Sequence, residues 1–362
     1  MEVYKNSMKL NFILPFFAPM PGGGVKIMYE YANRMSLMGH DVVVYHNQST
    51  PHFYYPKLRP LWLRKVISFI KYNNHPKPNW FTFDDKVKFK FIDTISNNSI
   101  RDADATITTW WSLVEPLKNL TVSKGKKVNL IQGYEIWDGN EDLVHKSYNY
   151  ENVTNVVISD FLYNKVKEYN FISEPILTTL AIDTNVFNVT NNIENRNPLS
   201  ICMLYGENDN VKGTIYGLKA FEKLKTAFPE LEVELFGVEK RPDRIPSWIK
   251  YNYNSKKLNS IYNRNAIFLA PSITEGWALP PTEAMACGCV VVSTNIPGHR
   301  HVNNYMDAIT IIPEDVDDIV EKITVLLNDN NLRIKLAKKS KEFVAQYCWE
   351  SVLDKFINVV TS

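Results

Sequence analysis

Two short apolar runs, separated by a polar loop and a proline-led segment, constrain this chain more than any other feature. Ala266-Ile267-Phe268-Leu269-Ala270 ends in Pro271-Ser272, and Val290-Val291-Val292 follows. Apolar runs of that length without alternation are the pattern of parallel strands buried on both faces. Between them stand Glu275 and Gly276 on a polar loop, then Pro280-Pro281. Proline is well placed in a first helical turn, because the N–H it lacks is unpaired there anyway. Thr282 to Cys287 is expected to be a short helix with Gly288 as its C-terminal cap. The segment reads as strand, acidic glycine loop, helix N-terminus, strand, which is one β-α-β step of a doubly wound sheet.

That geometry implies a chemistry. A helix N-terminus offers unpaired N–H groups and a partial positive charge, a natural seat for a phosphate. Gly276 lets backbone approach a ligand closely. Glu275 precedes the seat and Glu283 lies about a turn inside the helix, so the two carboxylates can reach what hangs from opposite ends of a diphosphate. A carboxylate that accepts two hydrogen bonds suits the vicinal hydroxyls of a sugar or a ribose.

In this frame, EGWALPPTEAMACG resembles the paired-glutamate signature of retaining glycosyltransferases of the GT-B architecture, glycosyltransferase family 4 in particular. Gly276-Trp277-Ala278-Leu279-Pro280 stands where that family has a Gly-Phe-Gly-Leu-Pro-like loop. The resemblance implies an α/β fold with two Rossmann-like doubly wound domains facing a cleft. It also implies that Glu275 contacts the donor sugar, Glu283 the nucleotide ribose, and the backbone near Ala278 and Leu279 the diphosphate, with Gly276 and Trp277 in the same donor loop.

At 362 residues the chain has room for two ordinary domains. A net charge of +2 gives no sign of a nucleic-acid binder, and 45% apolar with 22% charged residues is a soluble globular balance. The four cysteines, Cys202, Cys287, Cys289 and Cys348, show no zinc spacing, so a reducing cytosol is the expected compartment. The apolar run Met8 to Phe17 is broken by Pro15 and followed by Pro21 and three glycines, which reads as a first strand rather than a signal peptide. No apolar run approaches the roughly 18 residues of a membrane span.

After that strand, Pro21-Gly22-Gly23-Gly24 leads into a helix from Val25 to Met38, and Asp41 to Tyr45 is the next strand. A glycine-rich turn from strand to helix is again a phosphate seat. A dinucleotide fingerprint is disfavoured: Ile27 occupies the place of its third glycine, and His46-Asn47-Gln48 ends the second strand where an acid is required. The resemblance implies that Gly23 and Gly24 face the donor phosphates and the acceptor across the cleft.

Residues 51–90 hold nine lysines and arginines against two aspartates, which leaves the rest of the chain near −5. Aromatic residues interleave with them, and Leu61 to Lys71 has the pattern of a basic amphipathic helix. Two readings stand side by side: a peripheral site for the anionic inner face of the plasma membrane, or a solvated face over an ordinary core. Asp102-Ala103-Asp104 spells the metal motif of the other large glycosyltransferase architecture, but the strand pattern that follows reads it as a strand lead-in. No metal and no cofactor are expected beyond a nucleoside-diphosphate sugar as co-substrate. Trp110 lies after that strand, where many family members carry a histidine, and is a candidate for an acceptor contact. Gln132, Tyr134 and Glu135 follow a strand end and are candidates for acceptor contacts.

Ile182 to Phe187 resembles the family's segment at the end of the first domain, and Asn188 to Pro198 is expected to be the interdomain linker. The expected domains are 1–187 for the acceptor and 188–345 for the donor, with the C-terminal helix, about 346–362, packing back on the first. In the second domain the family has an arginine and then a lysine before a glycine on the diphosphate. Lys212-Gly213 matches the second, while Glu207 stands where the arginine is missing; either Lys212 and the helix dipoles suffice, or a residue such as Lys240 or Arg241 moves in. Gly237 at a strand end and Tyr253, where the resemblance places base recognition, complete the donor-binding set. The expected function is retaining transfer of a sugar, UDP-linked by the family's habit, to a glycan or lipid-linked acceptor of a bacterial surface polysaccharide, with Glu275 and Lys212 as catalytic residues. A sugar-nucleotide epimerase of the same architecture and a non-catalytic nucleotide-sugar-binding subunit are the alternatives. Acceptor-dependent release of nucleoside diphosphate distinguishes transfer from both.

Overall fold

The computed structural model describes residues 7–48, 62, 63, 66, 76–136 and 140–361. The chain divides into two compact units, Met1–Thr179 with Leu353–Ser362, and Leu180–Val352. Each is a parallel sheet flanked by helices, the arrangement that right-handed β-α-β crossovers produce.

In the first unit the strands are β1 (Lys9–Leu14), β2 (Asp41–Asn47), β3 (Lys88–Ile92), β4 (Ala105–Thr108), β5 (Lys126–Ile131), β6 (Val153–Val157) and β7 (Ile176–Leu177). They pair in the order β3-β2-β1-β4-β5-β6-β7, every pairing parallel. The order reverses between β1 and β4, and that switch point is where open α/β sheets bind ligands. The helices used below are α1 (Gly23–Leu37) and α2 (Glu141–Ser147). Asp104 caps the start of β1 by accepting from Lys9 N at 2.6 Å, and Asp102 takes Lys124 Nζ and Ser123 Oγ at 2.8 and 2.7 Å. Both carboxylates of the D-x-D are therefore engaged at the start of the sheet.

Within the described part of the basic aromatic stretch, Phe83 is buried while Trp62 and Val66 are exposed. Phe81 lies 4.6 Å from Phe83 at a tilt, Phe83 meets Tyr29 at 5.1 Å and Phe89 at 4.7 Å, and Trp80 Nε1 donates to Ala18 O at 2.8 Å. Most of Leu61 to Lys71, on which the membrane reading rests, lies outside the described residues.

In the second unit the strands are β8 (Ser200–Leu204), β9 (Glu232–Gly237), β10 (Lys250–Tyr253), β11 (Ile267–Ala270), β12 (Val290–Thr294) and β13 (Ile309–Ile311), in the order β10-β9-β8-β11-β12-β13, again all parallel. Its switch point lies between β8 and β11. The helices are α3 (Asp209–Lys212), α4 (Thr214–Ala227), α5 (Leu258–Arg264), α6 (Leu279–Ala286) and α7 (Asn330–Val344). The last helix, α8 (Trp349–Thr361), crosses the division at residue 353, and its Phe356 is buried against Tyr31 at 4.4 Å.

The asparagine-rich segment expected to be a linker is part of the second unit. Asn263 Oδ1 accepts from Thr190 N and Asn191 N at 2.8 and 3.1 Å, while its Nδ2 donates to Asn188 O at 2.9 Å. The buried guanidinium of Arg196 donates to the carbonyls of Asn191, Asn265 and Cys287. An asparagine-rich composition suits a flexible connection, but asparagine amides also bind backbone, and here they do so.

Candidate functional site

The donor loop is held by its proline-led helix. Leu279 opens α6, with Ala278 as extended N-cap and prolines at the next two positions. Those prolines have no N–H, so the orphan donors of this end are concentrated on Ala278 and Leu279. The helix begins earlier than Thr282 because both prolines lie inside its first turn.

Glu275 sits before it, at the carboxyl end of β11. Lys212 Nζ donates to Glu275 Oε1 at 2.6 Å and Ser272 Oγ donates to the same oxygen at 2.9 Å. Lys212 reaches there because α3 is a single turn closed by Gly213 at φ 61°, a left-handed position where a Cβ would lie 2.0 Å from Pro271 O. The lysine stem runs over Gly206, with no room for a Cβ between them. Lys212, Ser272, Glu275, Ala278, Pro280 and His299 line one small pocket, at the β8–β11 switch point.

Two histidines that the sequence reading passed over are built into this loop. Gly298, just before His299, lies against Glu275, where a Cβ would be 2.1 Å from Glu275 O. His299 is fully buried, its Nδ1 3.1 Å from both Thr294 Oγ1 and Thr294 O, and burial pushes its pKa down to about 4. His301 Nε2 lies 3.1 Å from Ala278 O and 3.0 Å from Thr282 Oγ1, and its ring stacks on Trp277 at 3.7 Å. Thr282 Oγ1 donates its proton to Ala278 O at 2.8 Å. Nε2 of His301 therefore meets two acceptors and must be the donor. Trp277, read as a donor-binding residue, turns its indole inward against His301 and Tyr347 and supports the loop. No sequence motif marks these histidines, because their role depends on a turn that only the fold brings beside Glu275.

Glu283 is 4% exposed and accepts from Tyr262 Oη at 3.0 Å. It is a buried, hydrogen-bonded carboxylate rather than one projecting from the surface. Gly237 and Tyr253 end adjacent strands in register; a Cβ at Gly237 would meet Tyr251 Oη at 2.6 Å, and Tyr253 is 52% exposed. Arg241 is spent on carbonyls of its own loop, Ile249, Ile245 and Pro246. The arginine that joins the phosphate-side loop is Arg244, which pairs with Asp209 at 2.5 Å and donates to Tyr205 Oη at 2.7 Å. Asp209 and Lys212 share α3, so Arg244 fixes the turn that carries the lysine.

The first unit assembles a separate cluster at its own switch point. Gln132 Nε2 donates to Gly24 O at 3.0 Å and Thr109 Oγ1 at 3.1 Å, tying the start of α1 to the end of β4. Gly23 faces open space, where a Cβ would meet nothing. Trp110 adopts φ 82°, strained for a residue with a side chain, and the next N–H, of Trp111, donates to Glu135 Oε2 at 2.9 Å. Burial pushes the Glu135 carboxyl up to about 7, against the pull of that N–H. Tyr134 is bound into α2 through His145 Nε2 at 2.7 Å and Glu141 at 3.3 Å. Among the described residues no group of three or more His, Cys, Asp or Glu is arranged to hold a metal, and no helix is long and apolar enough to cross a membrane.

Residues 191–343 match the family described as Glycosyl transferases group 1. Over 94 residues the chain is 31% identical to the N,N'-diacetylbacillosaminyl-diphospho-undecaprenol alpha-1,3-N-acetylgalactosaminyltransferase of Campylobacter jejuni, covering 26% of this chain and 25% of that protein. Over 114 residues it is 32% identical to O-antigen chain mannosyltransferase B of Escherichia coli, covering 31% and 29%. The matches thus span between a quarter and a third of these curated relatives. In fold, it is similar to Anabaena Alr3699/HepE in complex with UDP-glucose, with a TM-score of 0.72 at 10% identity over 98% of this chain and 99% of that one. The fold is of the GT-B class, and the stretch that bears Lys212, Glu275 and Glu283 resembles the glycosyl transferases group 1.

Proposed function

We propose that the protein is a retaining glycosyltransferase that moves a sugar from a nucleoside-diphosphate sugar, UDP-linked in our reading, to a glycan or lipid-linked acceptor in bacterial surface polysaccharide synthesis. The observation that carries this reading is the Lys212–Glu275 pair at the switch-point pocket, beside a helix end whose free N–H groups are concentrated on Ala278 and Leu279. The names of the curated relatives support the acceptor class, and the Anabaena complex supports a UDP-sugar donor. A cytoplasmic site of action, peripheral to the inner membrane face, follows from a lipid-linked acceptor.

In this reading Lys212 turns from Glu275 toward the incoming diphosphate and, with the Ala278 and Leu279 N–H groups, neutralises the charge of the leaving group without a metal. Glu275, relieved of its cation, takes hydroxyls of the sugar, and Ser272 keeps its orientation. Glu283, anchored by Tyr262, faces the ribose, and Tyr253 the base. Loss of one preorganised charge-stabilising group costs about 10²–10³ in rate, roughly 3–4 kcal/mol. Lys212→Ala and Glu275→Ala are each expected to slow acceptor-dependent release of nucleoside diphosphate by that much, with circular dichroism unchanged. Wild-type turnover in either variant refutes the assignment. Nucleotide binding without any acceptor-dependent release would point to the non-catalytic subunit instead.

A further inference from the structure

The neutral ring of His299 has one polar atom to spare, and the tautomer can be read from its neighbours. Thr294 Oγ1 has a single proton and donates it to Ser272 O at 2.5 Å. Both contacts of His299 Nδ1, with Thr294 Oγ1 and Thr294 O, are therefore to acceptors, so Nδ1 carries the hydrogen. Nε2 is left as a bare lone pair, fully buried and without a partner among the described residues. A buried acceptor left unmade is costly, so such a group marks a place for a donor.

His299 is one of the residues that line the pocket, together with Lys212, Ser272 and Glu275, and the adjacent Gly298 packs on the Glu275 backbone. Both hydrogen bonds to Glu275 fall on Oε1. The lining therefore includes two side chains that can accept, an imidazole and a carboxylate, around one lysine. Neighbouring hydroxyls of a sugar, each with a proton to give, fit that set. A bare phosphate, with acceptors only, does not.

We infer that His299 is a specificity-determining residue of the donor site: its Nε2 accepts a hydrogen bond from a hydroxyl of the transferred sugar, beside the hydroxyls taken by Glu275. This rests on the transferase reading above and adds to it that the transferred sugar carries a free hydroxyl at the position facing His299. It also assigns His299 to the sugar and not to the nucleotide.

The test is isothermal titration of wild type, His299→Asn and His299→Gln with UDP-glucose, UDP-N-acetylglucosamine and GDP-mannose, and with UDP and GDP alone. Asparagine can keep the donor toward Thr294 while removing the Nε2 acceptor, and glutamine can restore an acceptor near Nε2. The sugar nucleotide that wild type prefers over its bare diphosphate should weaken about tenfold in His299→Asn, with the bare diphosphate within about twofold of wild type. His299→Gln should retain most of the preference. An equal loss on bare and sugar-bearing nucleotides, or none, overturns the inference while leaving the transferase reading in place. Wild type that binds nucleotides but no sugar nucleotide overturns both. If His299→Asn does not fold, loss of the sugar preference in a folded His299→Gln overturns the inference and its retention supports it.

Discussion

At Gly298 a methyl group has nowhere to go. Its Cβ would fall 2.1 Å from the carbonyl oxygen and 2.7 Å from the Cβ of Glu275, and the nearest atom is backbone, which cannot swing aside. Gly298→Ala is therefore expected to push the Glu275 loop out of register, costing about 1–3 kcal/mol of stability and at least tenfold in transfer rate. A melting curve and an initial rate on the same preparation check it; an unchanged rate would mean that the position of Glu275 does not matter. The proline-led helix was legible from its prolines between two apolar strands, while the glutamates and Lys212 were singled out because their frame resembles a known family. Gly298, His299 and His301 were not, since nothing local distinguishes a turn that will lie against Glu275 from any other. Trp277, expected in the donor loop from its place in the family-like segment, stacks its indole on His301.

At the scale of elements, several strands followed from apolar runs and their punctuation: Asp41 to Tyr45 falls in β2, and the runs from Ala266 and from Val290 became β11 and β12. The failures came where side chains bind backbone at long range. The segment from Asn188 to Arg196 looks like a tether by composition, yet Asn263 holds it to α5, and Gly288 at φ 81° packs against Ile193 behind the donor helix. Asn263→Ala removes an acceptor shared by two backbone N–H groups and Arg196, and a donor to Asn188 O. It should destabilise the protein by about 2–4 kcal/mol, and hydrogen exchange at Thr190 and Asn191 should accelerate well beyond the global change. Uniform acceleration across the second unit would show that the segment has no separate anchorage.

For the whole molecule, buried neutral histidines set the response to acid. Burial lowers the pKa of His46 and His301 to about 3 and of His299 to about 4. These values lie below that of an unfolded histidine, about 6.5. The unfolded chain therefore takes up protons that the folded chain refuses as pH falls from 6.5 toward 4, and stability is lost over that window. Glu135, raised to about 7, acts in the opposite sense, holding a proton that the unfolded carboxyl releases above about 4.5, but it is one group against those three histidines and His40, which burial also lowers. Each tenfold displacement of a proton equilibrium is about 1.4 kcal/mol, so a urea midpoint should fall by several kcal/mol equivalent between pH 6.5 and 4. A flat profile would mean that these rings are not neutral and buried in solution. The central claim concerns the second unit's pocket, and thermal shift tests it most directly. UDP, GDP and dTDP would each be added to wild type and Lys212→Ala, in magnesium and in EDTA. The account predicts that one diphosphate raises the wild-type melting temperature by a few degrees at roughly 100-fold excess over its Kd, in EDTA as in magnesium, and that Lys212→Ala loses most of that shift. Stabilisation by none of the three, or an equal shift in Lys212→Ala, would contradict it.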